Sequence, residues 1–424
     1  MSEIRRVSGR RVWDSRGRPT VEVEVELGDG SIGRGIAPAG ASRGTREAID
    51  LRDGGARLGG FDVQRAVAGV NGEIAPHLAG REGTDQAAID AALVALDGTP
   101  NKARLGGNAL VATSIAVLHA AAASARRPLW AHVAAGAPVT LPLPEIQILG
   151  GGAHAGRRVD LQDFMVMPVG ARSFAEALEM TAEVYLAAGS LMKAAGKLAG
   201  VADEGGWWPV FDANEEALEL LTRAIGHAGF AAGRDLAISL DIAASEFGAG
   251  GRYALGLEKR QLDTAGMIDL LGGWLAAYPI VSIEDPLAED DEAGLVEFTR
   301  RFGDRCQIIG DDYLVTSAAR VAHAGAVGAV NSALIKLNQA GTVTETRAAF
   351  EAARAAGMSA IVSARSGETE DVTITHLAVG WNAGQLKVGS FARSERMAKW
   401  NEALRIEEAT GAPFAGRGAL APRR

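Results

Sequence analysis

The stretch Pro279 to Pro286, PIVSIEDP, constrains the fold more than any other part of the chain. Three apolar, partly β-branched residues, Ile280, Val281 and Ile283, run into Glu284 and Asp285 and then a proline. This is the pattern of a buried strand that delivers carboxylates at its tip. The arrangement recurs: AISLD ends on Asp241, QIIGDD on Asp311 and Asp312, ALIK on Lys336, AIVSAR on Arg365 and QLK on Lys387. A single acid at a strand end needs no explanation beyond its preference for water. A succession that mixes acids with lysines does, because clustered charges of both signs mark sites. Spacings of roughly 25 to 45 residues leave room for a helix between strands, as right-handed crossovers require. The expectation is an α/β fold whose C-terminal part is a (β/α)8 barrel, with these charged groups gathered at the C-terminal mouth.

At 424 residues, the chain fits such a barrel of ~250 residues plus a second module of ~130. Residues 1–136 read as a smaller α+β capping domain and 137–424 as the barrel. In the first part TVEVEVEL alternates, with Val21, Val23 and Val25 on one face and Glu22, Glu24 and Glu26 on the other, and the GDG turn at 28–30 closes a hairpin. Residues 37–47, APAGASRGTRE, form a loop of small residues suited to a mobile lid. Helical patterning follows to about Ala134, including the Ala-rich NALVATSIAVLHAAAASA, for which close helix–helix packing is expected. His119 and His132 read as structural. The prolines of APVTLPLP mark the domain connection. The segment Thr410–Arg424 reads as a loose tail.

A net charge of −9 argues against a general binder of nucleic acid or acidic membranes. The lone Cys306 excludes an internal disulfide and points to a reducing compartment. Its place among strand residues predicts burial. The N-terminus lacks an apolar h-region, and no stretch reaches the ~18 uninterrupted apolar residues of a membrane span. The expectation is a soluble cytoplasmic protein.

Many long segments, in order, carry a resemblance: VWDSRGRPTVEVEV, the loop 37–47, LDGTPNKARLGGNA, ADEGG, LDIAASEF, SIEDP, GDDYLVT, ALIKLNQAGTVTET, SARSGETED and LKVGSFARSERMAKWNEALRIEE. Together they resemble enolase over nearly the whole chain. The resemblance implies Mg²⁺ at two sites, the second bridged by substrate. Asp241, Glu284 and Asp311 are then the first ion's ligands, and Ser42 in the lid belongs to the second. Hard carboxylate oxygens suit this ion. Lys336 matches the general base, and Lys387 the group that pairs with the substrate carboxylate. Arg365 and Ser366 match the phosphoryl-binding pair. Glu204 in ADEGG matches the acid that assists the departing hydroxide, with His154 and Gln162 beside the substrate. A lysine serves as base only when its ammonium form is disfavoured, which nearby Mg²⁺ and a second lysine would achieve. A small phosphorylated or phosphonylated carboxylic acid is the implied partner, and a homo-oligomer, dimer or octamer, the implied assembly.

The departures from the family cluster. Ala364 stands where enolases carry a histidine before the Arg-Ser pair, and Asp163 where they carry glutamate after Gln162. Arg157 replaces the asparagine of HAGN, Ala202 replaces a glycine, and the lid reads Ala39, Gly40, Ala41, Ser42, Arg43. One acid or base group contributes ~10²–10⁴ in rate, so these changes bear on the leaving-group half of the site. They lead to the expectation of a specialised paralogue that resembles carboxyphosphonoenolpyruvate synthase of phosphonate and phosphinate biosynthesis. In that reading Asp163 is catalytic and Arg157 and Ala364 shape substrate binding. A housekeeping phosphopyruvate hydratase of glycolysis is the alternative within the enzyme class. A non-catalytic binding or structural protein on the same scaffold is the alternative outside it.

Overall fold

A computed structural model describes residues 2–41 and 44–420. The chain begins as an antiparallel three-stranded meander, Ile4–Trp13, Pro19–Leu27 and Ile32–Ile36. Val21, Val23 and Val25 are fully buried, as alternation requires. Glu22 and Glu24 on the opposite face are nearly buried too, at 9% and 7% exposure. Arg6 and Arg34 lie over Glu24 at 2.9 Å, and Arg10 over Glu22.

The Ala-rich stretch forms the helix Gly107–Ser124, which packs mainly on this sheet and also against neighbouring helices, among them Gln86–Asp97. Small residues on both sides explain the choice. A Cβ at Gly33 would lie 2.1 Å from the carbonyl of Ala116, and one at Gly35 would lie 2.5 Å from that of Ala112. Among the described residues this is the one helix long and apolar enough to cross a membrane, and 83% of it is buried inside the protein. It is a core helix that also carries Asn108, Thr113, Ser114 and His119. His119 hydrogen-bonds Thr373 at 2.8 Å.

The second part closes a barrel of eight strands: Leu143–Gly150, Asp163–Met167, Ala237–Asp241, Ile280–Glu284, Gln307–Gly310, Ser332–Ile335, Ser359–Ser363 and Gly384–Ser390. The last strand pairs with the first, which closes the sheet. Asp163–Met167 runs antiparallel to both neighbours, whereas the other barrel pairings are parallel. Its first residue, Asp163, therefore stands at the same mouth as the last residue of its neighbour, Asp241, its register partner. A hairpin, Leu198–Val201 and Trp207–Pro209, extends the sheet beside the first strand and presents the turn that carries Glu204.

The C-terminal segment is docked, contrary to its loose composition. The short helical turn Gly416–Leu420 covers the opposite end of the barrel. There Ala419 and Leu420 pack against Leu143, Met167, Val169 and Ala237, and the Gln385 amide donates to the carbonyl of Ala419 at 3.1 Å. Residues 421–424 lie outside the described residues. Cys306 is buried at 3% exposure, and burial pushes its thiol up to about 12.

His376, at 8% exposure, sits between helices with its Nε2 3.5 Å from Glu402. Burial, against the pull of Glu402, lowers its imidazole from 6.5 to about 4. The unfolded chain then binds a proton that the folded chain does not. This contribution to stability is complete above pH 6.5 and is lost as pH falls towards 4. The expected result is a thermal midpoint that falls across this window more steeply in the wild type than in His376→Gln, measured by calorimetry.

Candidate active site

Strand geometry brings the charged residues together. Register pairs Glu284 with Asp241 on one side and with Ile309 on the other, so Asp311 follows two residues beyond its neighbour. Lys336 comes directly after the sixth strand, and Ala364, Arg365 and Ser366 directly after the seventh. Lys387 projects from within the eighth. A small cavity of about 20 Å³, lined mostly by polar and charged groups, is bounded by His154, Gln162, Asp163, Glu204, Asp241, Lys336, Ala364, Arg365, Ser366 and Lys387.

At the floor, Lys387 Nζ donates to Asp241 Oδ2 at 3.0 Å and to Glu284 Oε2 at 2.7 Å. Burial disfavours its charge, but Asp241, Glu284 and Asp163 outweigh burial and hold the ammonium well above its ordinary value. Glu284 is wholly buried, and burial followed by Asp241 raises its carboxyl well above the usual range. Lys336 Nζ is hydrogen-bonded to Asp311, whose other oxygen accepts from Gln339 at 2.7 Å. Burial works against the Lys336 ammonium, and Asp311 raises it. The lysine is thus a charged partner of Asp311 here, rather than the disfavoured ammonium that a base requires.

Asp241, Glu284 and Asp311 can hold a hard divalent cation. Glu284 Oε1 and Gln162 Oε1 are buried oxygens with no hydrogen-bond partner among the described residues, and the donors are all oxygen. The two lysines already sit on these carboxylates as cations. Asp285, Asp311 and Asp312 bring oxygens within 4.8 Å of one another. Asp285, however, is committed to the backbone N–H groups of Asp311 and Asp312, at 2.8 and 2.9 Å. It positions the acidic turn. His154, Asp163 and Glu204 form a second such group, in which both imidazole nitrogens are hydrogen-bonded.

On the opposite wall His154 Nδ1 lies 2.9 Å from Asp163 Oδ1 and Nε2 lies 3.1 Å from Ser366 Oγ, with Glu204 at 3.7 Å. Burial opposes its protonation, yet Asp163 and Glu204 push the imidazole up to about 9. Gln162 donates to Asp241 at 3.0 Å. Arg365 is buried and clasps Glu47 of the lid through Nη1 at 2.9 Å and Nη2 at 3.2 Å, with Asn338 at 2.9 Å. The lid is docked: Ala39 and Gly367 exchange backbone hydrogen bonds at 2.9 and 2.8 Å, and the Ala41 N–H donates to Ser366 Oγ at 3.2 Å. Ser42 and Arg43 lie outside the described residues.

One expected site residue is not brought in. Arg157 adopts a left-handed backbone (φ 56°), and its side chain, 60% exposed, pairs with Glu246 instead of lining the cavity. Several others were missed by sequence reading. Glu47 holds Arg365, and Gln339 links Glu47, at 3.2 Å, to Asp311. Gln147 donates to Asp163 and accepts from the Gly206 N–H at 2.9 Å, which ties Asp163 to the Glu204 turn. Glu145, fully buried beside Ser239, lies within the barrel. Gln339 stands in the ALIKLNQAG motif, a usable signal. Glu47 closes the loop 37–47, which carried the same kind of signal; Gln147 and Glu145 carried none.

Two family models match the chain: Enolase, N-terminal domain, over residues 4–133, and Enolase, C-terminal TIM barrel domain, over residues 138–422. The chain is also 49% identical over 412 residues to Enolase 1 of Desulfitobacterium hafniense (strain Y51), which covers 96% of this chain and 94% of that protein. These matches span the meander, the barrel and the carboxylate-and-lysine mouth between them. The chain belongs to the enolase family of magnesium-dependent hydro-lyases.

Proposed function

We propose that the protein dehydrates 2-phosphoglycerate to phosphoenolpyruvate, as a phosphopyruvate hydratase. The observation that carries this reading is the pairing of Lys336 and Lys387 with Asp311, Asp241 and Glu284 on one side of a cavity whose other side holds Arg365 and Ser366. The relative at 49% identity bears the plain name Enolase 1, which favours this reaction over the specialised synthase anticipated from the departures. Of those departures, Arg157 lies outside the cavity.

Asp241, Glu284 and Asp311 would hold magnesium, which would supply electrostatic stabilisation of the charge that develops on the substrate carboxylate. Lys336 takes the proton from the carbon beside that carboxylate. Asp311, which pairs with this lysine, would also be a ligand of the divalent ion, and sharing that carboxylate would leave the ammonium less favoured. Lys387 pairs with the carboxylate, and Arg365 and Ser366 hold the phosphoryl group. Glu204 donates a proton to the departing hydroxyl, with His154, held by Asp163, beside it. Ser42, outside the described residues, would help hold a second ion, as the family resemblance implies. Family membership supports a cytoplasmic homo-oligomer.

Ala364 is the observation that keeps the synthase-type reading as a second. Its methyl, not an imidazole, lines the wall beside Ser366. Purified protein, given Mg²⁺ and 2-phosphoglycerate and followed by enolpyruvate absorbance, is expected to turn over at ~1–10² s⁻¹. No turnover, with turnover of a phosphonyl-bearing three-carbon acid, would replace the first reading by the second.

A further inference from the structure

The motif LKVGSFARSERMAKWNEALRIEE contributes only Lys387 to the cavity, yet its helix, Ser394–Thr410, carries two cations with no exposure at all, Arg396 and Lys399. A fully buried guanidinium and ammonium one turn apart are tolerated only where their donors are used. Among the described residues the Nη groups of Arg396 donate to backbone oxygens of the site, while Nε makes no hydrogen bond and lies 3.4 Å from the carboxylate of its neighbour Glu395. Nη1 donates to the carbonyls of Arg365 at 2.6 Å and Val388 at 2.7 Å, and Nη2 donates to that of Ser366. Lys399 donates to the carbonyl of Thr369 at 3.0 Å and pairs with Glu368 Oε2 at 3.0 Å, while Glu368 Oε1 accepts the Arg365 N–H at 2.8 Å. Residues 365–369 are therefore gripped from behind, by groups that do not line the cavity.

Gly389 makes the approach possible. Its φ is +121°, and a Cβ there would stand 3.0 Å from Arg396 Cδ and 3.1 Å from the carbonyl of Glu204. The next residue, Ser390, donates its N–H to that same Glu204 carbonyl at 2.9 Å. The stem of Arg396 thus rests against the eighth strand where that strand also anchors the Glu204 turn. Only arginine, with five donors in a planar fork, reaches three carbonyls at once; a lysine in its place keeps the charge and loses the geometry.

We propose that Arg396, seconded by Lys399, is a positioning residue for phosphoryl-group binding, fixing the backbone of Arg365 and Ser366 so that their side chains meet the ligand. This rests on the assignment of Arg365 and Ser366 to the phosphoryl group. The test compares wild type, Arg396→Lys and Lys399→Met in kcat and KM for 2-phosphoglycerate, in the affinity for inorganic phosphate, in Mg²⁺ affinity and in thermal midpoint. A misplacement of the order of 1 Å costs about 10²-fold. Arg396→Lys should accordingly raise KM and weaken phosphate binding by about that factor, and Lys399→Met by about ten-fold, with Mg²⁺ affinity unchanged in both. A lowered thermal midpoint with KM and phosphate affinity unchanged would overturn the proposal, and Lys399→Met decides the same question if Arg396→Lys does not fold. If the wild type binds phosphate without turning over 2-phosphoglycerate, the proposed reaction fails while the variants' phosphate affinities still decide the positioning role. A wild type that binds no phosphate overturns it.

Discussion

Lys336→Met is expected to lower kcat by ~10³–10⁴, the contribution of a positioned general base, with KM for 2-phosphoglycerate changed by less than about five-fold. The side chain is nearly buried, its ammonium is held by Asp311, and its backbone N–H is fixed by Thr316 Oγ1 at 3.0 Å. Methionine keeps most of the volume and removes the proton acceptor. Removing one partner of a buried ion pair ordinarily destabilises by about 3–5 kcal/mol, because the other charge is stranded. Asp311 keeps the Gln339 amide at 2.7 Å and gains a divalent ion when magnesium is present, so the variant should fold in magnesium buffer. Stopped assays with matched thermal melts check both halves of this expectation. A rise in KM with kcat intact would assign Lys336 to binding instead of proton transfer.

The second large effect is expected at Glu284, the residue of the PIVSIEDP strand. Glu284→Gln should weaken Mg²⁺ binding by more than about 10²-fold, since a hard cation loses a charged ligand whose free oxygen has no other partner among the described residues. Its effect on the metal-free protein has the opposite sign. Glu284 is wholly buried beside Asp241 and Asp311, and a neutral amide relieves that crowding while Lys387 retains Asp241 at 3.0 Å. The metal-free variant should therefore melt no lower than the wild type. Saturating Mg²⁺ should stabilise only the wild type, by about 2.7 kcal/mol at a hundred times Kd. Titration calorimetry and melts with and without Mg²⁺ measure this. Equal stabilisation of both proteins would remove Glu284 from the metal site.

These two residues are legible in the sequence, because a strand that ends in a charge advertises where its tip points. Asp241, Asp311, Lys387 and Arg365 are visible for the same reason. The antiparallel second strand was not anticipated, though it is what places Asp163 at the mouth by its first residue rather than its last. Glu47 and Gln147 act on partners far along the chain, Arg365 and Asp163, and only folding creates those distances. Arg157 misled because charge and neighbourhood were read without its backbone: φ +56° turns it towards Glu246. The C-terminal segment misled because composition reports looseness, whereas Ala419 and Leu420 find the apolar residues at the foot of the barrel.

Proton abstraction by Lys336 beside the three carboxylates is the centre of the account, and solvent deuterium tests it directly. In D₂O with Mg²⁺ and 2-phosphoglycerate, NMR should show the carbon-2 proton lost to solvent in the wild type, with deuterium appearing in recovered substrate or proton loss matching product formation. Lys336→Met should show no such loss over the same time. Proton loss at equal rates in both proteins, or none in a wild type that binds substrate and Mg²⁺, would contradict it.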